Sequence, residues 1–235
     1  MERRDDVRAP MVRCEGVTRR FHTRVGAVVA LDHVDLVVPN GSLTVIAGPS
    51  GSGKSTLLAL LACLDRADSG IVEVAGRDVS RLSRHDRRLV RRDSLGIVLP
   101  QPSDNLFDRF DVSGNLRWVT NVRTSRRGRR GGRPAIDHSL LVALGVADRL
   151  HVGVRALSGG EQQRVAVAAA LVGTPSIILA DEPTASLDHA AGTLLLDALR
   201  VAIAQGATVV VATHDPQLIA GADDVIRLDH GRRVS

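Results

Sequence analysis

One stretch of the chain constrains its fold more than any other, because it matches the phosphate-binding loop (P-loop) pattern G-x-x-x-x-G-K-S. Its residues are Gly48, Pro49, Ser50, Gly51, Ser52, Gly53, Lys54, Ser55 and Thr56. Glycines let successive backbone N–H groups turn toward an anion, and a helix that follows adds the positive end of its dipole. In this pattern the lysine contacts the β- and γ-phosphates and the next hydroxyl ligates Mg²⁺.

The sequence on either side fits a P-loop. Residues 42–47 form a β-branched, apolar run that predicts a buried strand, and residues 56–61 predict an apolar helix. Lys54 is the only lysine, whereas the other 30 of the 31 Lys and Arg residues are arginines. A compact ammonium is therefore retained where a guanidinium fork would fit poorly among phosphates.

Composition narrows the classes of function. The 235 residues, 44% of them hydrophobic, suffice for one large domain with a sizeable core. Three Phe, one Trp and no Tyr argue against stacked aromatic platforms for single-stranded nucleic acid. The net charge of +5 fits nucleic acid or an anionic membrane surface, but also a general arginine bias of the source proteome.

The cysteines and the termini indicate the compartment. Cys14 and Cys63 match no metal-binding spacing, so we expect reduced core thiols in a cytosolic protein. Residues 1–10 are charged, lack the apolar run of a signal peptide and are expected to be flexible. No stretch approaches the roughly 20 apolar residues of a transmembrane helix, so we expect a soluble protein that reaches membranes only through a partner.

The order of the remaining segments predicts an α/β fold. In residues 11–17 and 28–38, apolar and polar residues alternate as they do in strands. These runs predict an antiparallel sheet ahead of the P-loop. Further on, strand-like runs alternate with helical segments, which predicts a parallel sheet with right-handed crossovers. These predicted strands are 71–74, 96–99, 176–180, 208–212 and 224–228.

Two features leave alternatives open. Phe21 is the only aromatic residue before the P-loop, and it either stacks on a base or belongs to the core. Residues 111–150 look helical, interrupted by the Arg- and Gly-rich run at 124–134. That run is either a solvated loop between two helices or a nucleic-acid-binding tail, and the lack of interleaved aromatics favours the loop.

Polar residues follow two of the apolar strands. Asp181 and Glu182 come directly after residues 176–180, and His214 follows residues 208–212. Because ligands bind beyond the carboxyl ends of parallel strands, these side chains are expected near the P-loop. There Asp181 can hold Mg²⁺, Glu182 can polarise an attacking water, and His214 can bond to the γ-phosphate.

A second motif occupies residues 157–164, L-S-G-G-E-Q-Q-R. At a helix start, Ser158, Gly159 and Gly160 would offer a hydroxyl, bare N–H groups and a dipole to phosphate, although such a serine can also be an ordinary N-cap. Together with the motifs above, the chain resembles the ATP-binding-cassette (ABC) ATPases over residues 12–228. The resemblance implies two copies packed head to tail, each ATP lying between the P-loop of one and Ser158–Gly160 of the other.

The resemblance implies further roles. Asp188 would lie at the contact between copies, His214 would be the switch histidine, and Phe21 would stack on adenine. The implied fold is that of a P-loop NTPase, with a RecA-like parallel core, an N-terminal antiparallel β subdomain and a helical signature subdomain. One domain would span 11–235, with a nucleotide-binding core at 11–99 and 160–235 and the helical subdomain at 100–159.

One position departs from the family pattern. The family places a glutamine that ligates Mg²⁺ and senses the membrane partner directly after the strand at 96–99. Here Pro100 occupies that place and Gln101 follows it. Either Gln101 swings in as a metal ligand, or the metal shell lacks this ligand.

The segment at 61–70 looks like the branch of lipoprotein-release, macrolide-export and cell-division ATPases. The leading hypothesis is thus an ATP-hydrolysing subunit, bound peripherally at the inner face of the cell membrane. It would energise a transmembrane permease that exports or extracts lipophilic or lipoprotein-like cargo, docking through residues 101–115. One alternative is a regulatory ATP-gated module of a cell-division-type complex. A nucleic-acid-linked ABC ATPase is disfavoured, because such proteins usually carry a second cassette or a coiled-coil insert.

Overall fold

The computed structural model describes residues 9–24, 26–124 and 138–234. Within them the strands, numbered β1 to β10 in chain order, are Val12–Thr23, Gly26–Val38, Leu43–Ala47, Ser69–Val74, Arg77–Asp78, Leu95–Val98, Ile177–Asp181, Thr208–Ala212, Asp224–Asp229 and Arg232–Arg233. The α-helices, α1 to α7, are Lys54–Leu61, Arg84–Ser94, Val112–Thr124, His138–Ala143, Gly159–Leu171, His189–Ala204 and Pro216–Ala220. Short 3₁₀ turns cover Pro102–Asp104, Ala147–Arg149 and Val154–Ala156.

The strands form two sheets. One is antiparallel, in the order β2-β1-β4-β5, and the other has the order β10-β9-β3-β8-β7-β6. In the second sheet all neighbours run parallel except β10, which is antiparallel to β9. The predicted antiparallel sheet ahead of the P-loop and the predicted parallel sheet are both confirmed, but the predicted strand at 71–74 belongs to the antiparallel sheet, where β4 pairs with β1.

The central strands β3, β7 and β8 are buried along their whole length, as their largely apolar residues require. In β8, Val209 and Val211 belong to a core formed with α3 to α7, whereas Val210 and Ala212 belong to a second core formed with α1 and the antiparallel sheet. This alternation places helices on one face and α1 with the smaller sheet on the other. The carboxyl ends of β3, β6, β7 and β8 consequently share one edge.

Both cysteines lie in the second core and are unpaired. Burial raises the pKa of the Cys14 thiol to about 12 and that of Cys63 to about 11. Since the thiolate is the reactive form, both are unreactive core residues at neutral pH, as the sequence predicts.

The region after β6 is less helical than its sequence suggests. The prediction of helix to about residue 150 is wrong at its end, because α4 stops at Ala143 and Gly145 adopts a φ of +62°. From residue 125 onward, the Arg- and Gly-rich run lies outside the described residues. None of the helices in the described ranges is both long enough and apolar enough to span a bilayer.

Candidate nucleotide site

The P-loop connects the end of β3 to the start of α1, in the order that the sequence predicts. Two of its glycines are required by close backbone approach. A Cβ on Gly48 would collide with the carbonyl oxygen of Leu228, and a Cβ on Gly53 would lie 2.5 Å from that of Ala30. Gly53 precedes α1 and no side chain caps the helix start, so its first N–H groups are left for an anionic ligand.

A cavity of about 650 Å³ opens beside this loop. Its volume lies within the range of small-molecule sites. It is lined by the P-loop, one strand of the antiparallel sheet and the segments after β6, β7 and β8. The lining residues are Val28, Val29, Ala30, Pro49, Ser50, Gly51, Ser52, Gly53, Lys54, Ser55, Thr56, Pro100, Asp181, Glu182, Ala185 and His214. The polar residues expected at the strand ends thus meet the P-loop in one cavity.

Lys54 is folded over the P-loop. Its Nζ donates hydrogen bonds to the carbonyl oxygens of Gly48 and Pro49, at 2.8 and 3.0 Å. The ammonium therefore sits inside the curve of the loop, where it can exchange these carbonyls for phosphate oxygens. The hydroxyl of Ser52 is buried in the same loop without a hydrogen-bond partner.

Ser55 and Asp181 face each other across the cavity floor. Burial raises the pKa of the Asp181 carboxyl, and a hydrogen bond from the Ser55 hydroxyl opposes that rise. The Oδ1 atom of Asp181 is buried and has no hydrogen-bond partner. A hydroxyl beside an unpartnered carboxylate oxygen is a donor set suited to a hard divalent cation.

Glu182 is held by the end of the neighbouring strand. Its φ of +45° is uncommon for a residue with a side chain, and its N–H donates to the carbonyl oxygen of Ala212 at 2.8 Å. The Thr213 hydroxyl donates to Oε2 at 3.0 Å, and Nδ1 of His214 lies 3.0 Å from Oε1. Both carboxylate oxygens are therefore fixed in orientation.

The surroundings of Glu182 differ from the sequence prediction in two respects. His214, expected to face the γ-phosphate, contacts the carboxylate while its side chain stays 77% exposed. The contribution of Thr213 was missed, although its position directly after β8 is the same signal that identified His214. Asp215 in turn donates its backbone N–H to the Thr213 hydroxyl, at 3.1 Å.

The second motif lies at the start of α5. The Ser158 hydroxyl accepts from the N–H of Glu161 at 3.3 Å, and the Glu161 carboxylate accepts from the N–H of Ser158 at 2.9 Å, which is a capping box. Arg149 donates to the same carboxylate at 2.8 Å. The hydrogen bonds from Arg149 and Ser158 lower the pKa of Glu161 to about 2.

Ser158 is thus an N-cap, but this role does not account for the two glycines that follow it in the motif. Ser158 and Gly159 are exposed, and none of residues 158–160 is among the residues that line the nucleotide cavity. A Cβ on Gly160 would make only ordinary van der Waals contacts, the nearest at 3.4 Å with the carbonyl oxygen of Ser186. The helix start is therefore open to another molecule rather than to the P-loop of its own copy.

Asp188 has a local structural role in the single copy. Its side chain caps α6 by accepting from the N–H of Ala191 at 2.8 Å. The contact between two copies that is expected for Asp188 stays a prediction, because it involves a second chain.

Phe21 lies beside the cavity. Its residue is 38% exposed, so the alternative that placed it in the core is wrong. It pairs across the strands with Val28, which lines the cavity, and cross-strand neighbours share a face of the sheet. The Arg19 guanidinium lies 4.6 Å from the ring centroid.

Comparison with known proteins places these features in a family. The model of the family described as ABC transporter matches residues 31–185. The chain belongs to the ABC transporter family. It is an ABC ATPase domain, with the P-loop and the motif at 158–160 that distinguish such domains.

Curated relatives of this ABC ATPase include two kinds of transporter protein. The chain is 38% identical over 230 residues to a macrolide export ATP-binding/permease protein MacB of Paracoccus denitrificans, covering 97% of this chain and 33% of the relative. It is 40% identical over 223 residues to the lipoprotein-releasing system ATP-binding protein LolD of Novosphingobium aromaticivorans, covering 94% and 97% respectively. The chain thus spans about a third of the length of the MacB relatives and nearly all of LolD.

Solved structures agree with this assignment. The dimeric structure of MJ0796, a bacterial ABC transporter cassette, matches with a TM-score of 0.85 and 33% identity, covering 96% of this chain and 97% of that one. A second structure of MJ0796 with the same scores is a dimer in a post-hydrolysis state, bound to ADP and Pi.

The loop after β6 holds Pro100 and Gln101, the position at which the sequence is expected to depart from the family pattern. Pro100 lines the nucleotide cavity, whereas Gln101 is exposed and is not among the lining residues. Gln101 is extended, with φ −92° and ψ +124°. Asn105 braces this loop by accepting from the N–H of Leu99 at 2.7 Å and donating to the carbonyl oxygen of Gln101 at 2.8 Å. The displaced glutamine is thus held away from the cavity in this conformation.

Proposed function

We propose that this ABC ATPase binds and hydrolyses ATP to energise a transmembrane permease that exports, or extracts from the membrane, lipophilic or lipoprotein-like cargo. One observation carries the proposal. The P-loop, Asp181 and Glu182 share a cavity, while Ser158 and Gly159 at the start of α5 are exposed and do not line it. The names of the relatives, a macrolide exporter and a lipoprotein-releasing ATPase, support the cargo class. They give no support to the alternative of a cell-division regulatory module.

The P-loop is proposed to bind the phosphates. The uncapped N-terminus of α1 and the loop N–H groups offer donors, and Lys54 can move from the carbonyl oxygens of Gly48 and Pro49 to phosphate oxygens. Phe21, beside the cavity and next to Val28, is proposed to stack on the adenine. The Arg19 guanidinium lies over one face of the Phe21 ring, so the adenine must either displace it or stack on the other face.

The residues present fit a Mg²⁺ ion. Asp181 Oδ1 is buried without a partner, and the Ser55 hydroxyl lies against the same carboxylate. We propose that Ser55 and Asp181 hold the ion, and that Gln101 becomes a third ligand only if the loop after β6 rearranges. When bound, the ion neutralises negative charge on the phosphate oxygens.

Glu182 is proposed to position and polarise the attacking water. The Glu182 carboxylate accepts a hydrogen bond from the Thr213 hydroxyl and contacts Nδ1 of His214, which can donate a second one. These contacts fix the carboxylate before any ligand binds, which is the preorganisation that general-base catalysis needs. The exposed part of His214 faces the cavity and can reach the γ-phosphate once the nucleotide is in place.

Two copies are proposed to form the complete site. Ser158, Gly159 and Gly160 lie outside the cavity of their own copy, and a matching cassette, MJ0796, is a dimer. In a two-fold dimer each ATP would contact the P-loop of one copy and Ser158–Gly160 of the other. Asp188 would lie near this contact, and ATP binding would close the pair.

A complementation experiment tests this arrangement. Lys54→Ala disables the P-loop and Ser158→Arg disables the second motif, so each variant alone should lose activity. In a mixed dimer, one of the two sites combines the intact P-loop of one variant with the intact second motif of the other. About half of the dimers in an equal mixture are mixed, so the mixture should recover about a quarter of wild-type hydrolysis. Failure to recover any activity, with both variants folded, would contradict the shared site.

Association with a permease is proposed to hold the protein at the inner face of the cell membrane. Co-expressed with that permease, it should sediment with membranes and resist a mild salt wash, whereas expressed alone it should not. Salt-sensitive binding to DNA without sedimentation would instead favour a nucleic-acid-linked ATPase.

A further inference from the structure

Arg19 lies against the aromatic ring that is proposed to stack on the adenine. Both residues belong to β1, and because they are two positions apart their side chains leave the strand on the same face. The Arg19 guanidinium lies over the Phe21 ring, with Cζ 4.6 Å from the ring centroid. A cation at this distance is attracted to the face of the ring, so one face of Phe21 already has a stacking partner.

Two carboxylates hold the Arg19 guanidinium by its edge, and we refer to Arg19, Asp65 and Asp68 as the Arg19 clamp. Asp65 accepts from Nε at 2.9 Å and from Nη2 at 3.2 Å, which is a bidentate ion pair. Asp68 accepts from Nη1 at 2.9 Å. All three nitrogens of the guanidinium therefore donate to carboxylates. Pairs of this kind fix the plane of a guanidinium as well as its position.

The two carboxylates of the clamp are themselves held by backbone groups. Oδ1 of Asp65 accepts from the N–H of Arg66 at 2.8 Å, and Oδ2 of Asp68 accepts from the N–H of Arg20 at 2.6 Å. The hydrogen bonds from the Arg20 N–H and from the Arg19 guanidinium hold the pKa of the Asp68 carboxyl below its ordinary value. Arg19 would have to break its three hydrogen bonds to these acids in order to leave the ring.

The Arg19 clamp joins the Phe21 ring to the helix that follows the P-loop. Asp65 and Asp68 lie in the turn between α1 and β4, and the N–H of Asp68 donates to the carbonyl oxygen of Thr18 on β1 at 2.9 Å. The other end of α1 is its phosphate-binding end. The ring and the P-loop are thus connected through one helix of 8 residues, roughly 12 Å long.

The strand that faces the ring is shaped by a β-bulge at the same level. Arg19 pairs with Leu31 and Arg20 pairs with Val29, so Ala30 is an extra residue between them. Bulges redirect side chains and are frequent beside binding sites, and Ala30 lines the nucleotide cavity. The same short stretch of β1 and β2 therefore supplies both the arginine of the clamp and part of the cavity wall.

We propose that Arg19 is a positioning residue for the nucleotide base. Clamped by Asp65 and Asp68, it holds the Phe21 ring in a fixed plane, and the adenine stacks on the ring face opposite the guanidinium. Arg19 is not among the residues that line the cavity, so it acts on the base through the ring. This inference rests on the proposed function and deepens it, because it decides which face of Phe21 the base takes and what holds that ring.

A purely structural role for Arg19 is the alternative, in which the clamp only ties β1 to the turn after α1. The two roles differ in how they affect different ligands. A structural role would affect every ligand of the P-loop alike, whereas a role through the ring affects only ligands that carry a base. Inorganic tripolyphosphate offers three phosphates without a base and is therefore the matched probe for ATP.

Isothermal titration of the purified protein with ATP and with tripolyphosphate tests the inference, with Mg²⁺ left out so that ATP is not hydrolysed. Phe21→Ala should weaken ATP binding by at least about fivefold, the value of one base stacked on a ring. Arg19→Gln should weaken it about 2- to 10-fold. Neither should change tripolyphosphate binding. In the Phe21→Ala background, Arg19→Gln should have no further effect, because both residues act through one contact.

Two further variants guard against a change in folding. Asp68→Asn removes one ion pair of the clamp but keeps the bidentate pair with Asp65, so it should fold and shift ATP affinity in the same direction by a smaller factor. Arg13→Gln removes a different ion pair of β1, that with Glu15, and should bind both ligands as wild type does. The Tm of each variant shows whether it is folded, and Asp68→Asn decides if Arg19→Gln does not fold.

Three results would overturn the inference. Equal losses of ATP and tripolyphosphate affinity in Arg19→Gln or Asp68→Asn would show a structural role. A loss of ATP affinity that persists in the Phe21→Ala background would show that Arg19 acts independently of the ring. Wild-type ATP affinity in both clamp variants would show that the ring needs no support.

The proposed function can be judged separately from the same titrations. If Phe21→Ala binds ATP as tightly as wild type, the adenine does not stack on Phe21 and the proposed function is wrong at that point. If Phe21→Ala loses ATP affinity but neither Arg19→Gln nor Asp68→Asn does, only the role of Arg19 is wrong.

Discussion

Nδ1 of His214 lies 3.0 Å from Oε1 of Glu182, so the segment after β8 holds the carboxylate that follows β7. Thr213, fully buried, donates to the other carboxylate oxygen. The carboxylate is thus oriented, before a nucleotide binds, by the two residues that directly follow the adjacent strand β8. An amide at position 182 would keep the size and much of this hydrogen bonding but could not act as a base.

Glu182→Gln should therefore separate ATP binding from hydrolysis. We expect hydrolysis to fall by at least about 100-fold, as for loss of a general base, while ATP still binds. With ATP and Mg²⁺ the variant should elute as a dimer in size-exclusion chromatography, because a dimer closed on ATP opens only after hydrolysis. Glu15→Gln, on β1, is the matched control and should behave as wild type. A Glu182→Gln protein that stays monomeric in saturating ATP would contradict the head-to-tail site.

Replacement of Lys54 should affect nucleotide affinity. Lys54→Ala removes the ammonium that now bonds to two loop carbonyls, and we expect ATP affinity to fall about 10- to 100-fold, the value of one charge-assisted hydrogen bond or more. Lys54→Arg should recover only part of it, since the planar guanidinium is too wide for the curve of the loop. Isothermal titration with ATP measures both, and wild-type affinity in Lys54→Arg would show that the loop is looser than described.

The ion pair at the start of α5 should make stability depend on pH. The pKa of Glu161 is about 2 in the folded protein, against an ordinary value of 4.5. A carboxyl whose pKa is lowered on folding stabilises the fold above its ordinary pKa, and this stabilisation is lost as the pH falls from 4.5 toward 2. Because Arg149 is partly exposed and solvent screens the pair, we expect a small effect, about 1–3 °C in Tm.

Thermal unfolding of wild type and Glu161→Gln between pH 7 and pH 3 measures this effect. The Tm difference should be constant from pH 7 to about pH 5 and shrink below pH 4.5. Arg149→Gln should lower the Tm similarly at pH 7, and the double variant should lose less than the sum, because the residues interact directly. A Tm difference that grows as the pH falls has the wrong sign and would exclude the ion pair as its cause.

Much of this site follows from local sequence patterns, and the remainder depends on contacts between distant segments. The P-loop, and the meeting of Asp181 with it, could be predicted because strand ends of a parallel sheet share an edge. The lining by Val28–Ala30 could not, because it depends on how the antiparallel sheet packs against the loop.

The conformation of the loop after β6 follows partly from local sequence and partly from a side-chain contact that the sequence does not indicate. The sequence predicts that Pro100 and Pro102 keep Gln101 extended and that successive side chains leave on opposite faces. The structure agrees, with Pro100 in the nucleotide cavity and Gln101 extended and outside its lining. It adds a brace that no local pattern indicates, namely the Asn105 side chain, whose amide donates to the carbonyl oxygens of Leu99 and Gln101. Gln101 would have to break this brace in order to reach the metal.

The metal shell should therefore depend more on Ser55 than on Gln101. Ser55→Ala removes a hydroxyl that bonds to Asp181 and should abolish most Mg²⁺-dependent hydrolysis, whereas Gln101→Ala should change it little. The exchange Pro100→Gln with Gln101→Pro puts an amide on the cavity side and should raise basal turnover and lower the Mg²⁺ concentration for half-maximal activity. Initial rates against Mg²⁺ concentration measure all three variants. If Gln101→Ala loses as much activity as Ser55→Ala, the loop rearranges on binding and Gln101 is a metal ligand after all.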